Sequence, residues 1–254
     1  MKRYHVLDEI RGLTLISMIL YHASWDMVYI FHRNWIWYES AVGYVWQQSI
    51  CWTFILLSGF CWSLGREKLK RGGMVFGGGM LVTTVTLLFM PQNRVVFGVL
   101  TLLGSCMLLM IPLHKILKKV HPLIGLGVSA VFFVVFREIT NGFLWYIGAD
   151  GWKRYRMPDC LYRNYITAYF GMPHDSFFST DYFPVFPWIF LFLIGYFLYR
   201  IAEKKALFKY LLPQRLKAAG WIGRHSFPIY LLHQPIVYTA LSVYHFLAEI
   251  LMDG

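Results

Sequence analysis

Charge is scarce in this chain. Only 15% of its 254 residues are Asp, Glu, Lys or Arg, against about 25% in soluble domains. Hydrophobic residues make up 57% and the mean hydropathy is +0.49. That shortage excludes an ordinary soluble domain and points to an all-α integral membrane protein. Cysteine is scarce too. Cys51, Cys61, Cys106 and Cys160 show no CxxC and no paired spacing, which excludes zinc and haem-attachment signatures. Three of them lie in apolar runs and read as packing residues, so no metal is expected. Repeats, low-complexity tracts and linkers are also missing, and residues 1–254 read as a single domain. Lys2 and Arg3 resemble the start of a signal peptide. The apolar run after them is broken by His22 and Asp26 and has no small-x-small cleavage site, so it reads as a retained helix.

Seven apolar segments are present, at roughly 9–31, 44–64, 74–92, 95–114, 122–140, 182–201 and 218–250. A bilayer of about 30 Å needs about 20 helical residues, and each segment spans it or nearly does; the third and fifth are short or Gly-rich. Basic residues set the orientation. Lys2, Arg3, Arg66, Lys68, Lys70, Arg71, Lys115, Lys118, Lys119, Arg200, Lys204, Lys205, Lys209, Arg215 and Lys217 fall on one side. The alternate loops hold Arg33, Arg94, Arg137, Lys153, Arg154, Arg156 and Arg163, mostly in one long loop, where charge counts for less. The reading is a multi-pass plasma-membrane protein with about seven transmembrane helices, its N-terminus cytoplasmic and its C-terminus outside. This bias accounts for the net charge of +11 without nucleic acid. The long outer loop, 141–181, is rich in Trp and Tyr. It reads both as an aromatic belt at the membrane surface and as a functional lid or acceptor-binding loop.

The first segment, "LDEIRGLTLISMILYH" at 7–22, carries charge that a membrane helix avoids, since each such group costs roughly 2.5–3.5 kcal/mol at the bilayer centre. At 100° per residue, Arg11 and His22 share a face about 16 Å apart along the axis, and Asp8 and Asp26 join the same broad stripe. The helix therefore presents a cation at one end and an imidazole–carboxylate pair near the other. A carboxylate at i+4 orients a histidine and stabilises its protonated form, as a general base requires. Hydrogen bonding between helices is the plainer reading of the same residues. In the last segment, "IGRHSFPIYLLHQP", Ser226, Tyr230 and His233 fall on one face, with Pro228 and Pro235 bracketing the stretch.

These motifs carry a resemblance. "LDEIRGLTLISMILYH" resembles the first-helix signature of integral-membrane acyltransferases, an arginine followed by ten residues and a histidine. "FILLSGFCWSLGR" (54–66), which contains Ser58, resembles the second-helix element of that superfamily, and "IGRHSFPIYLLHQP" its final-helix element. "STDYFPVFPWIFLFLIGY" (179–196) and "VVFGVLTLLGSCMLL" (95–109) look most like small bacterial relatives of the heparan-α-glucosaminide N-acetyltransferase catalytic domain. The resemblance implies packed membrane helices and an acyl-CoA donor, acetyl-CoA foremost, bound from the cytoplasm. It also implies a sugar or glycan acceptor of the cell envelope, acylated on the other side. Arg11 and His22 match the paired arginine and histidine, and Asp181 matches the acid of the "DYFPxxPW" element. In the heparan enzyme an asparagine stands where His22 is, and its histidine lies in the following outer segment, where this chain has His32. His22 and His32 are therefore both candidate bases, with Asp26 and Arg11 beside them. Asp8, Ser58, Asp181, Ser226, Tyr230 and His233 are candidate substrate contacts. Lipid surrounds the chain, and a homo-oligomer is left open.

Intramembrane Arg, His and Asp also build solute and proton paths, so a transporter or channel is the rival reading. It lacks an inverted repeat and a ring of like charge. A retinal protein is disfavoured because 218–250 holds no lysine. A structural subunit without chemistry is the remaining alternative.

Overall fold

The structure, a computed structural model, describes residues 3–148 and 151–253; Lys2 and residues 149–150 of the expected outer loop lie outside them. Helices α1 (His5–Tyr29), α2 (Ile36–Glu39), α3 (Ala41–Trp62), α4 (Lys68–Phe89), α5 (Val99–Leu117) and α6 (Pro122–Val135) come first. An antiparallel hairpin follows, β1 (Phe143–Gly148) and β2 (Gly151–Arg156). Helices α7 (Tyr165–Phe170), α8 (Val185–Lys204), α9 (Lys217–Arg224) and α10 (Ser226–Asp253) complete the chain. Four helical stretches are long and apolar enough to cross a membrane: α4, α5, Pro122–Asn141 and α8. They include the Gly-rich third segment and the fifth. Helices α1, α3 and α10 have the length, and their polar residues, among them His22, Asp26, Gln47, Gln48, His233 and Gln234, set them apart from those four.

The expected segment 218–250 is two helices rather than one. Pro228 has no N–H to give, and its ring would clash with the carbonyl four residues earlier, that of Arg224, if the helix ran on. The chain breaks there, and Pro228 sits in the first turn of α10, where a missing donor costs nothing.

The chain divides into two compact units, residues 1–54 with 207–254, and residues 55–206. In the first, α1 packs against α9 and α10. Leu15, Met18 and Ile50 are buried at its centre, among Ile19, Trp46, Phe54, Ile222 and Tyr230. Between membrane helices apolar side chains gain little over lipid, and small residues that let backbones approach do more. Gly12 and Gly223 are those residues here: a Cβ on Gly12 would strike the carbonyl of Ala219, and one on Gly223 that of Asp8. Glu9, 5% exposed, locks the same junction. Its Oε1 accepts the backbone N–H groups of Arg215 (2.7 Å) and Leu216 (2.8 Å), capping α9 from a distant part of the chain.

In the second unit α4 packs on α5, and α8 on α5 and α6. Gly72 and Gly79 serve this contact: a Cβ on Gly72 would meet the Leu108 side chain, and one on Gly79 the backbone of Thr101. Arg200 ends α5 by donating from Nη1 to the carbonyls of Leu117 (2.7 Å) and Val120 (2.8 Å), and from Nη2 to that of Lys118 (3.0 Å). The segment before α8 is tied to the start of α5: Ser179 Oγ accepts from Val96 N–H (2.9 Å), and Phe183 N–H donates to Phe97 O (2.8 Å). The hairpin pairs Phe143 with Arg156 through to Gly148 with Gly151. All of β2 is exposed, and the Arg154 guanidinium lies 5.0 Å from the Trp145 ring centre.

Candidate functional site

Helix α1 is unbroken from His5 to Tyr29, so His22 and Asp26, four residues apart, project from the same face one turn apart. Helix α10 brings His233 and Gln234 against them. The rings of His22 and His233 have centres 4.8 Å apart. Asp26 is fully buried, and its Oδ1 accepts a 2.7 Å hydrogen bond from Gln234 Nε2. His233 Nδ1 lies 2.5 Å from the carbonyl of Tyr230. A carbonyl only accepts, so Nδ1 carries the hydrogen, and in the neutral ring Nε2 keeps its lone pair. That Nε2, the Oδ2 of Asp26 and the Oε1 of Gln234 are all buried without a partner among the described residues.

Buried polar atoms are nearly always satisfied, and each orphan costs about 1–3 kcal/mol. Three in one cluster, all acceptors, are chemically complementary to a group that brings N–H or O–H donors. Around it lie aromatic rings: Tyr21 beside His22 and Tyr38, and Tyr230 beside His233 and Phe54.

The other candidates fall elsewhere. Arg11 is near the start of α1, where its Nη1 is 3.4 Å from Asp8 Oδ1, and Asp8 also receives Arg3 at 2.8 Å. His32 is an exposed residue in the turn after α1, with φ 52° and no hydrogen bond or ring contact among the described residues. Ser226 is half-buried in the first turn of α10. Ser58 and Asp181 belong to the second unit. Ser58 precedes Gly59, whose missing Cβ lets α3 meet the Phe192 carbonyl of α8. Asp181 accepts from the Val99 N–H at the start of α5 (3.3 Å). Burial pushes its carboxyl up to about 6, partly offset by that hydrogen bond. No group of three or more metal-ligating side chains occurs among the described residues.

Gln234 is the member that sequence reasoning missed. Its only local signal is its place after His233, because its partner Asp26 is 208 residues away in the chain. Glu9 was equally silent, since its partners are backbone groups of Arg215 and Leu216.

Long apolar helices define a helical membrane protein, and a cluster of His22, Asp26, His233 and Gln234 carries its buried unpartnered acceptors among the described residues. The comparison with known families is specific. Residues 3–235 match the family described as heparan-alpha-glucosaminide N-acetyltransferase, catalytic, and the chain belongs to that family of membrane acetyltransferases. No curated protein and no solved structure gives a match.

Proposed function

We propose that this protein moves an acyl group, acetyl foremost, from cytoplasmic acyl-CoA to an amino or hydroxyl group of an extracytoplasmic sugar or glycan, with His22 as general base. The observation that carries the reading is the cluster of half-buried His22 and Gln234 with buried Asp26 and His233, and its three acceptor atoms without a partner among the described residues. An acceptor amine or hydroxyl brings the donors that those atoms lack.

The reaction needs little else. His22 removes the proton as the acceptor nitrogen or oxygen attacks the thioester carbon. The C–S bond breaks, the acyl group stays on the acceptor, and CoA leaves as its thiol after taking up a proton. The imidazolium formed on His22 is stabilised by the carboxylate of Asp26 one turn above. His233 and Gln234 orient the nucleophile through Nε2 and Oε1. Arg11, about 16 Å down the helix from His22, and Asp8, about 21 Å down, stand towards the donor's side. A positioned base is worth typically 10²–10⁴-fold. The setting is a multi-pass chain in the plasma membrane.

The test is CoA-thiol release from acetyl-CoA by the purified chain in detergent, with amino-sugar and glycan acceptors. His22→Ala should cost about 100-fold or more, in protein that still unfolds cooperatively, and His32→Ala should retain activity. Loss with His32→Ala alone would move the base to the turn after α1. Turnover independent of both histidines would overturn the reading.

A further inference from the structure

A second polar feature lies in the unit formed by 55–206 and includes none of the residues given a role in the chemistry above. The end of α3, the start of α4 and the ends of α5 and α8 enclose a cavity of 350 Å³, at the small end of ligand-sized pockets, about 300–1,000 Å³. Ser63, Lys68, His114, Lys118, Arg200 and Glu203 line it. The charge is unbalanced, with three permanent cations against one carboxylate. Lys68, Lys118 and Arg200 form no ion pair among the described residues, and Glu203 Oε1 already accepts from Tyr199 OH at 3.1 Å.

Two of the cations are fixed in place. Arg200 is held by three main-chain carbonyls. Lys68 Nζ sits 3.7 Å from the centre of the Trp62 ring, a cation–π contact. Lys68 is also the first residue of α4, a 22-residue helix whose N-cap, Glu67, makes no side-chain hydrogen bond to the first turn. The open N–H groups of a helix start attract anions. A bias of basic residues to one membrane face needs only loose surface lysines such as Lys119. It does not require a guanidinium pinned at a cavity wall or an ammonium seated on an indole.

From this arrangement we propose that the cavity binds a phosphate ester. Two fixed cations with a third beside them, a helix start and a hydroxyl suit a multiply charged oxyanion better than a single carboxylate. The same chemistry has two sources: the phosphates of a nucleotide such as the donor's, or the headgroup of an anionic phospholipid at that face. The phosphate assignment rests on the second unit alone; only its nucleotide source rests on the acyl-transfer reading.

The test uses the full chain in neutral detergent, titrated with adenosine 3′,5′-bisphosphate and, separately, with dihexanoyl phosphatidic acid. Dihexanoyl phosphatidylcholine is the zwitterionic control. At least one phosphate ester should bind, more weakly as salt rises. Lys68→Gln and Lys118→Gln should each weaken binding about tenfold without moving the ligand-free unfolding midpoint. Lys119→Gln, outside the cavity, should leave binding unchanged. Binding of the nucleotide alone identifies that source, binding of the lipid alone identifies the headgroup, and either or both sustain the proposal. No binding of either probe, or equal weakening by Lys119→Gln, overturns it. His22→Ala protein should bind as wild type does, so a failure of the acyl-transfer reading is told apart from a failure here.

Discussion

Gln234 and Asp26 hold each other in a place where neither belongs alone. Gln234→Ala takes from a buried carboxylate the hydrogen-bond donor it has among the described residues, and should cost about 1–3 kcal/mol, read as a lower unfolding midpoint in detergent. His233→Phe keeps a ring of similar size and removes Nε2. Under the acyl-transfer reading it should raise the acceptor KM about tenfold and leave the KM for acetyl-CoA unchanged. Asp181 gives a pH signature. Its folded carboxyl titrates at about 6, above the unfolded value of about 3.9. Its contribution is therefore full below about pH 3.9 and lost as pH rises through 6. The wild-type midpoint should fall between pH 4 and pH 7 more steeply than that of Asp181→Asn, measured by thermal unfolding across that range. At this scale the sequence was legible where the period of one helix did the placing. His22 and Asp26 followed from i, i+4 spacing on α1. Their pairing with His233 and Gln234 did not, because no local rule brings residue 26 to residue 234.

Helix junctions here depend on the absence of side chains as much as on their presence. Gly12→Ala puts a methyl group into the Ala219 carbonyl and should cost about 1–3 kcal/mol or more. Gly127→Ala, where the added methyl meets nothing, should be neutral or stabilise by up to about 1 kcal/mol. The pair, compared by thermal unfolding, separates close approach from helix propensity. Glu9→Ala removes the acceptor of two N–H groups at the start of α9 and should cost about 1 kcal/mol or more. Glycine in α4 weakened the hydropathy of that segment, and two of those glycines, Gly72 and Gly79, turn out to lie at its contact with α5. The break between α9 and α10 was signalled by Pro228, which marks a first helical turn as readily as a kink. The β-hairpin inside 141–181 lay in a stretch whose aromatic content alone gave no strand period.

For the whole molecule, the scarcity of charge and the seven apolar segments placed the chain in a membrane before any coordinates, and the family match agrees with that class. Orientation rests on the basic residues. Cys160, exposed between the hairpin and α7, reports on it directly, since Cys61 and Cys106 are buried and Cys51 is half-buried. A membrane-impermeant maleimide should label Cys160 in intact cells; labelling only after permeabilisation would invert the topology.

The cap that Glu9 places on α9 has a consequence for synthesis. Its two partners are 206 and 207 residues downstream, and α10, which supplies His233 and Gln234, comes later still. The second unit is continuous in sequence, from 55 to 206, and is complete before any of them leaves the ribosome. At about 5–20 residues per second, roughly 10–40 seconds separate Glu9 from its partners, and the buried carboxylates of α1 are unmatched for that time. This polar helix is made well before the groups that satisfy it, so any insertase or chaperone that attends this protein meets α1 bare.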